Sequence, residues 1–190
     1  MLISAREAAQ ILAPSGLTRE RARRLLLAGF AGEGLRTRGS LLYDDGRVRA
    51  LLQRPVVDPR QLPGNFRHGV FVARVMDLGP DLAPGDLTRG LSARTWRLSP
   101  YARVEMRIAI ESQGYLPFVA TVCGFVAVGA DIAAVWPLRG EPGSRERPVS
   151  TLDLVEPGDW FEVFRGARFP TGAGGPWTLW RPPRPVPLQE

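Results

Sequence analysis

The sequence contains no lysine, one cysteine and one histidine among its 190 residues. The single cysteine, Cys123, excludes an internal disulfide framework and any zinc site built from several cysteines. The single histidine, His68, lies in NFRHG, and no Ser-His-Asp or Cys-His arrangement is predicted around it. We therefore predict that the protein is not an enzyme and that it has no cofactor and no metal site.

Secretory and membrane-spanning segments are also not predicted. The N-terminus lacks the basic region followed by an apolar core that a secretory signal needs. Residues 116–138 are apolar and long enough to cross a bilayer, but they contain Pro117, Asp131 and Pro137. Their valine-rich halves predict two buried strands with a turn near Gly129. We expect a cytoplasmic protein with no membrane partner.

Positive charge is concentrated in the first third of the chain. All 25 basic residues are arginines, and the formal net charge is +6. Residues 1–60 contain 11 arginines and 6 acidic residues, whereas residues 61–190 contain 14 arginines and 13 acidic residues. A localised excess of arginine predicts a polyanionic partner such as nucleic acid.

Two short helices are predicted at the N-terminus. Residues 4–7, SARE, form a capping box, which predicts a first helix over about residues 5–13 that ends at the breaker PSG. Thr18 then caps a second helix that runs to about Ala28. Four of the first six residues of this helix are arginines: Arg19, Arg21, Arg23 and Arg24. Its outer face is therefore predicted to be strongly positive.

A hairpin and a third helix follow. Residues 35–43 predict two short strands that turn at Gly39, and Asp44 caps another short helix. The hairpin contains Arg36 and Arg38, which extend the positive surface beyond the second helix.

These motifs resemble those of a known family of DNA-binding domains. Residues 2–54 are similar to the winged helix-turn-helix domain of excisionases and MerR-like regulators. Four segments carry the resemblance: SAREAAQIL, GLTRERARRLLLAGF, TRGSLLY and DDGRVRALL. It implies that the second helix enters the major groove and that the hairpin approaches the phosphates or the minor groove. The sequence departs from the family at APSG, which is slightly longer than the usual tight turn.

Arginines of the second helix and the hairpin are the candidate DNA-binding residues. Arg23 and Arg24 are predicted to bond guanine edges, because a guanidinium can bind O6 and N7 together. The others are predicted to hold phosphates, which fix register without sequence information. The complete predicted set is Thr18, Arg19, Arg21, Arg23, Arg24, Arg36 and Arg38. An ordinary solvated charged surface is the alternative.

The rest of the chain predicts a linker, a second domain and a tail. Residues 55–65 are rich in proline and are assigned as a linker, and residues 182–190 as a proline-rich tail. Residues 66–181 predict a small mixed α+β domain. Its predicted elements include strands at VFVARVMDL, DWFEVFRG and PWTLWRP and a helix at SPYARVEMRIAIESQG. Trp177 and Trp180 are candidates for a partner contact, and core packing is the alternative.

The predicted fold class is α+β, with an N-terminal winged helix-turn-helix followed by a small mixed α+β domain. The predicted function is sequence-specific binding of double-stranded DNA by a bacterial transcription regulator. Its second domain is expected to mediate oligomerisation, as in a homodimer, or to bind an effector or a partner protein. The alternative is an excisionase-like architectural or adaptor protein that bends DNA or brings a partner protein to it.

Overall fold

The computed structural model describes residues 1–58, 60, 62, 66–76, 84–138, 149–170 and 175–181. These residues form an α+β fold with one three-stranded and one five-stranded sheet. The predicted tail, residues 182–190, lies outside the described residues.

Six elements form the N-terminal region, which we define as residues 1–54. They are β1 (Leu2–Ser4), α1 (Ala5–Leu12), α2 (Arg19–Leu27), β2 (Leu35–Arg36), β3 (Leu41–Asp44) and α3 (Asp45–Leu52). A 3-10 turn over Ala13–Ser15 separates α1 from α2. The strands form an antiparallel sheet in the order β1-β3-β2. The helices and the hairpin lie close to their predicted positions, whereas β1 is too short to show a sequence period and is not predicted.

Side-chain caps explain where the three helices begin. The Ser4 hydroxyl accepts the Glu7 N–H at 3.2 Å, and the Glu7 carboxylate accepts the Ser4 N–H at 2.8 Å, which confirms the capping box. Thr18 and Asp44 accept the N–H of the third residue after them at 3.3 and 2.9 Å. Gly29 follows α2 with a φ of +79°, a conformation that favours glycine.

The described part of the C-terminal region, defined as residues 66–181, contains two α-helices and five strands. They are β4 (Val70–Arg74), α4 (Pro84–Ser92), α5 (Pro100–Gln113), β5 (Leu116–Val122), β6 (Phe125–Leu138), β7 (Val149–Val155) and β8 (Trp177–Trp180). The sheet order is β7-β6-β5-β4-β8. Strands β4 and β5 pair in parallel because α4 and α5 connect them, and the other neighbours are antiparallel.

Both faces of the five-stranded sheet are buried. One face packs with residues that include Phe71, Trp96 and Met106, and Met106 comes from α5. The opposite face packs with an aromatic cluster that includes Phe66 and Trp160. Burial on both sides explains why all seven residues of β5 are apolar or small and buried.

Several predictions for the C-terminal region are wrong. The turn between β5 and β6 lies at Cys123-Gly124 rather than near Gly129. Gly129 lies inside β6, where a Cβ would stand 2.2 Å from the Phe161 ring, so this glycine makes room for an aromatic side chain. Cys123 is half-buried in this turn. The segment predicted as a strand in DWFEVFRG forms a 3-10 helix over Asp159–Val163.

The N-terminal and C-terminal regions pack directly against each other. The Phe125 ring lies edge-on to Phe30 at a centroid distance of 6.1 Å, and the Arg54 guanidinium lies over both rings. The first part of the predicted linker is also held, because the Val57 N–H donates to the Arg168 carbonyl at 2.8 Å. The Arg168 N–H in turn donates to the Pro55 carbonyl at 2.9 Å, so residues 55–57 pair with the C-terminal region.

Candidate nucleic-acid interface

Helix α2 is fixed by one buried face. Ala22, Leu25 and Leu26 are almost fully buried in a cluster that includes Leu12 of α1 and Val48 of α3. This 3.6-residue spacing is the one predicted from the sequence. It leaves two flanks of α2, which carry different arginines and have different surroundings.

The outer flank of α2, defined by Arg19 and Arg23, is open to solvent. Both side chains are exposed, and together with Arg6 of α1 and Glu20 of α2 they line a depression on the surface. Burial raises the pKa of the Tyr43 hydroxyl, and the nearby Arg23 guanidinium opposes that rise. The outer flank therefore presents three arginines from two helices in one place.

The inner flank of α2, defined by Arg21 and Arg24, faces the C-terminal region. Arg24 donates to the Glu20 carboxylate at 2.9 Å and to the Met76 sulfur at 3.1 Å, and only 29% of its side chain is exposed. Arg21 is half-buried and lines a cavity with residues of β4 and β8. The sequence interpretation placed Arg24 beside Arg23 on the outer face. The structure differs because the C-terminal region covers this flank.

The β2–β3 hairpin carries its arginines into solvent. Arg36 pairs with Leu41 across the hairpin, and Arg38 lies in the connection between the strands. Both side chains are exposed, and neither forms an ion pair with any described residue. The Thr37 N–H donates to the Ser40 carbonyl at 2.9 Å, which closes the hairpin.

Acidic side chains near these arginines are mostly engaged elsewhere. Glu7 accepts hydrogen bonds from Ser4, which lower the pKa of its carboxyl. Asp45 pairs with Arg49 at 2.9 Å, and Glu20 pairs with Arg24. Exposed arginines that form no ion pair with any described residue number five on α1, α2 and the hairpin, and Arg47 of α3 is a sixth: Arg6, Arg19, Arg23, Arg36, Arg38 and Arg47.

Thr18 and Arg6 differ in whether the sequence predicts them as site residues. Thr18 uses its hydroxyl oxygen to cap α2, and its hydroxyl proton stays available to donate to a phosphate in the predicted contact with DNA. Arg6 was not predicted as a site residue. Its position in the first turn of α1, on the side opposite the buried Ala8 and Leu12, was the available signal.

The surroundings of the histidine and of the acidic side chains bear on metal binding. Among the described residues, no group of three or more histidine, cysteine, aspartate and glutamate side chains could hold a metal ion. The Arg67 Nε–H donates to His68 Nε2 at 3.0 Å, and the Ser112 hydroxyl lies 2.8 Å from the same atom. Burial, together with Arg67 and Arg181, lowers the pKa of His68.

Trp177 and Trp180 are half-buried and contact aromatic residues of the C-terminal region. The Trp177 ring stacks on Phe71 at 5.2 Å, and its indole N–H donates to the Arg97 carbonyl at 3.0 Å. The Trp180 ring lies 4.8 Å from Phe169. The most exposed of the five tryptophans is Trp136, at 60%.

No helix within the described ranges is both long and apolar enough to cross a membrane. Comparison of the chain with protein-family models, with curated proteins and with solved structures found no match.

Proposed function

We propose that the protein binds double-stranded DNA through α2 and the β2–β3 hairpin and regulates transcription. The observation that supports this most strongly is the group of five exposed arginines without ion pairs on α1, α2 and the hairpin. An unpaired arginine surface of this kind gains free energy when phosphates displace its counterions. The order of elements in residues 2–54 supports a winged helix-turn-helix, in which α2 is the recognition helix and the hairpin is the wing.

The exposed positions favour a specific division of roles. Arg19 and Arg23 extend from the outer flank of α2 and would contact base edges or the phosphates beside them. Arg6, Arg36 and Arg38 would hold phosphates on either side of the groove. Arg24 is assigned no base contact here, because Glu20 and Met76 occupy its guanidinium.

The experiment that tests the proposal is capture of sheared host genomic DNA by the purified protein near physiological salt, followed by sequencing. The test variant is Arg19→Glu with Arg23→Glu. The matched control is Arg94→Glu with Arg107→Glu, which changes the net charge equally at exposed arginines of the C-terminal region. We expect a few enriched loci for the native protein and the control and none for the test variant. Equal recovery of all loci by all three proteins would refute sequence-specific binding.

An architectural or adaptor protein is the second candidate, and one observation favours it. The longest described helix, α5, has 14 residues and packs its Met106 and Ala109 against the sheet. Among the described residues, therefore, no long free helix is available to form a coiled-coil dimer. Enrichment of adjacent direct repeats, with bending of the bound duplex, would support this candidate over a regulator that binds isolated operators.

A further inference from the structure

A cavity of about 110 Å³ lies between the inner flank of α2 and the C-terminal region. Three arginines line it: Arg21 and Arg24 from α2 and Arg74 from β4. No acidic residue is among the described residues of its wall. We propose that this cavity binds a small organic anion, a carboxylate or a phosphate carried on an apolar body.

The arginines of the cavity retain free hydrogen-bonding capacity. Among described residues, the Arg21 side chain forms no hydrogen bond or ion pair. Arg74 uses one nitrogen to donate to the Gly175 carbonyl at 3.0 Å. Arg24 pairs with Glu20, which is 81% exposed and outside the cavity wall. Because a guanidinium has five N–H donors in a planar fork, these groups could bind a carboxylate or phosphate through several charge-assisted hydrogen bonds.

The apolar part of the wall indicates what kind of molecule the anionic group belongs to. Phe169 and Trp180 line the cavity, and their rings contact each other edge-on. Val72 and Met76 extend this apolar surface. Ligand sites combine an apolar lining with a few polar groups that fix orientation, and a bare inorganic ion would leave the apolar part uncovered. The cavity therefore favours an aromatic or branched carboxylate or phosphate.

Cys123 supplies a reporter in the wall of the same cavity. Its thiol donates to the Arg21 carbonyl at 3.4 Å, so it lies directly beside α2. It is half-buried and is the one cysteine of the chain, so alkylation reports on binding at this position. Cys123 also borders a second pocket with Val56 and Arg168, so the variants of Arg21 and Arg74 are needed to assign protection to this cavity. A bound anion would cover the thiol and slow its alkylation.

Binding of an anion would also affect α2, and this part of the inference rests on the proposed function. Two of the three arginines of the cavity belong to α2, next to the outer flank that would face DNA. An anion held there neutralises positive charge beside the DNA-binding surface, so it should weaken DNA binding severalfold. By linkage, DNA should weaken binding of the anion by the same factor.

The test measures the alkylation of Cys123 by iodoacetamide, with intact-mass detection, and contains no DNA. The probes are phenyl phosphate and benzoate, raised to about 10 mM to include millimolar affinities. Benzyl alcohol is the neutral control. The test variants are Arg21→Gln and Arg74→Gln, which lie on different elements, so that a folding defect in one leaves the other informative. The control variant is Arg107→Gln, an exposed arginine of α5 outside the cavity.

We expect saturable protection by at least one anion, none by benzyl alcohol, and unchanged protection in Arg107→Gln. Each test variant should need about tenfold more anion for half-protection, because it loses hydrogen bonds to a charged group. The proposal is overturned if neither anion protects, if benzyl alcohol protects equally, or if both test variants behave like the native protein.

The coupling is measured separately, as the dissociation constant for an enriched duplex with and without the protecting anion. Weaker DNA binding that Arg74→Gln abolishes would support the coupling, and an unchanged constant would overturn it. Because the alkylation test needs no DNA, failure of the proposed function leaves its outcome readable.

Discussion

The two flanks of α2 carry the same type of residue in opposite surroundings. Arg19 and Arg23 on the outer flank are exposed and close to Arg6, and the one acid of this depression, Glu20, is paired with Arg24. Arg21 and Arg24 on the inner flank are half-buried against the C-terminal region. An arginine-rich helix therefore does not define a nucleic-acid surface by itself. In the proposed interface, the surface is set by which flank the rest of the chain leaves open.

The cause of the difference lies outside α2, at the turn between β5 and β6. Val122 and Phe125 at the ends of these strands join the core of the N-terminal region. Cys123 in the turn contacts the Arg21 carbonyl, and Met76 after β4 contacts Arg24, so the C-terminal region covers the inner flank and leaves the outer flank free. The comparison can be tested by removing the contact, by exchanging charges on each flank, and by changing the hairpin that continues the outer surface.

The largest effect is expected for Phe125→Ala. This side chain is almost fully buried and packs against Phe30 and Arg54, so its truncation should lower the free energy of unfolding by about 3–5 kcal/mol. Leu27→Ala, on α2 but 46% exposed, is the control and should cost much less. Chemical denaturation followed by circular dichroism measures both. A cost below about 1 kcal/mol for Phe125→Ala would mean that the two regions do not share this core.

Next in size is the difference between Arg23→Ala and Arg24→Ala. Arg23→Ala should weaken binding to an enriched duplex by about 1–3 kcal/mol if it contacts a guanine, and should relax the specificity at that position. Arg24→Ala should change DNA binding much less, because its guanidinium is held by Glu20 and Met76. Fluorescence anisotropy with specific and random duplexes measures both variants. A larger loss for Arg24→Ala would reverse the assignment of the two flanks.

The sequence predicts the N-terminal region well because its signals are local. Ser4 and Thr18 cap helices whose apolar spacing agrees with their buried faces, and Gly29 ends α2 in a left-handed conformation. Each of these features depends on residues within four positions of one another. Arg24 illustrates the limit, since its surroundings come from Met76, which is 52 residues away in the sequence.

The C-terminal region is predicted less well because its elements depend on long-range packing. Glycine is common in turns, and on that basis a turn is predicted near Gly129. Gly129 lies in β6 instead, because the Phe161 ring, from a 3-10 helix far away in the sequence, occupies the space that a side chain at position 129 would fill. In the actual turn, Cys123 has a φ of +53°, a backbone conformation that is uncommon for residues other than glycine. The cavity beside α2 was likewise not predictable, because Arg21 and Arg74 come together only in the folded chain.

A smaller effect is expected for Arg38→Ala on the hairpin. An arginine that holds one phosphate should weaken binding to all duplexes alike and reduce the slope of log K against log salt by about one unit. Arg49→Ala is the control, because Arg49 is already paired with Asp45 within α3. Titrations at several salt concentrations measure the slopes. Loss of affinity for the specific duplex alone would mean that the hairpin contacts bases rather than phosphates.

The smallest effect concerns pH and separates the two regions without DNA. The pKa of His68 is lowered in the folded protein by burial and by Arg67 and Arg181, so the unfolded state takes up a proton first as pH falls. The contribution of His68 to the free energy of unfolding is therefore complete above the pKa of histidine in the unfolded state, about 6.5. It is lost as the pH falls below that value. His68→Gln should flatten the dependence of the unfolding free energy on pH between about 7 and 5. Because His68 lies in the C-terminal region, the helix arginines should not alter this dependence. The opposite result would be a native protein that becomes more stable over the same fall in pH and loses this gain in His68→Gln. It would show that His68 gains rather than loses its proton on folding.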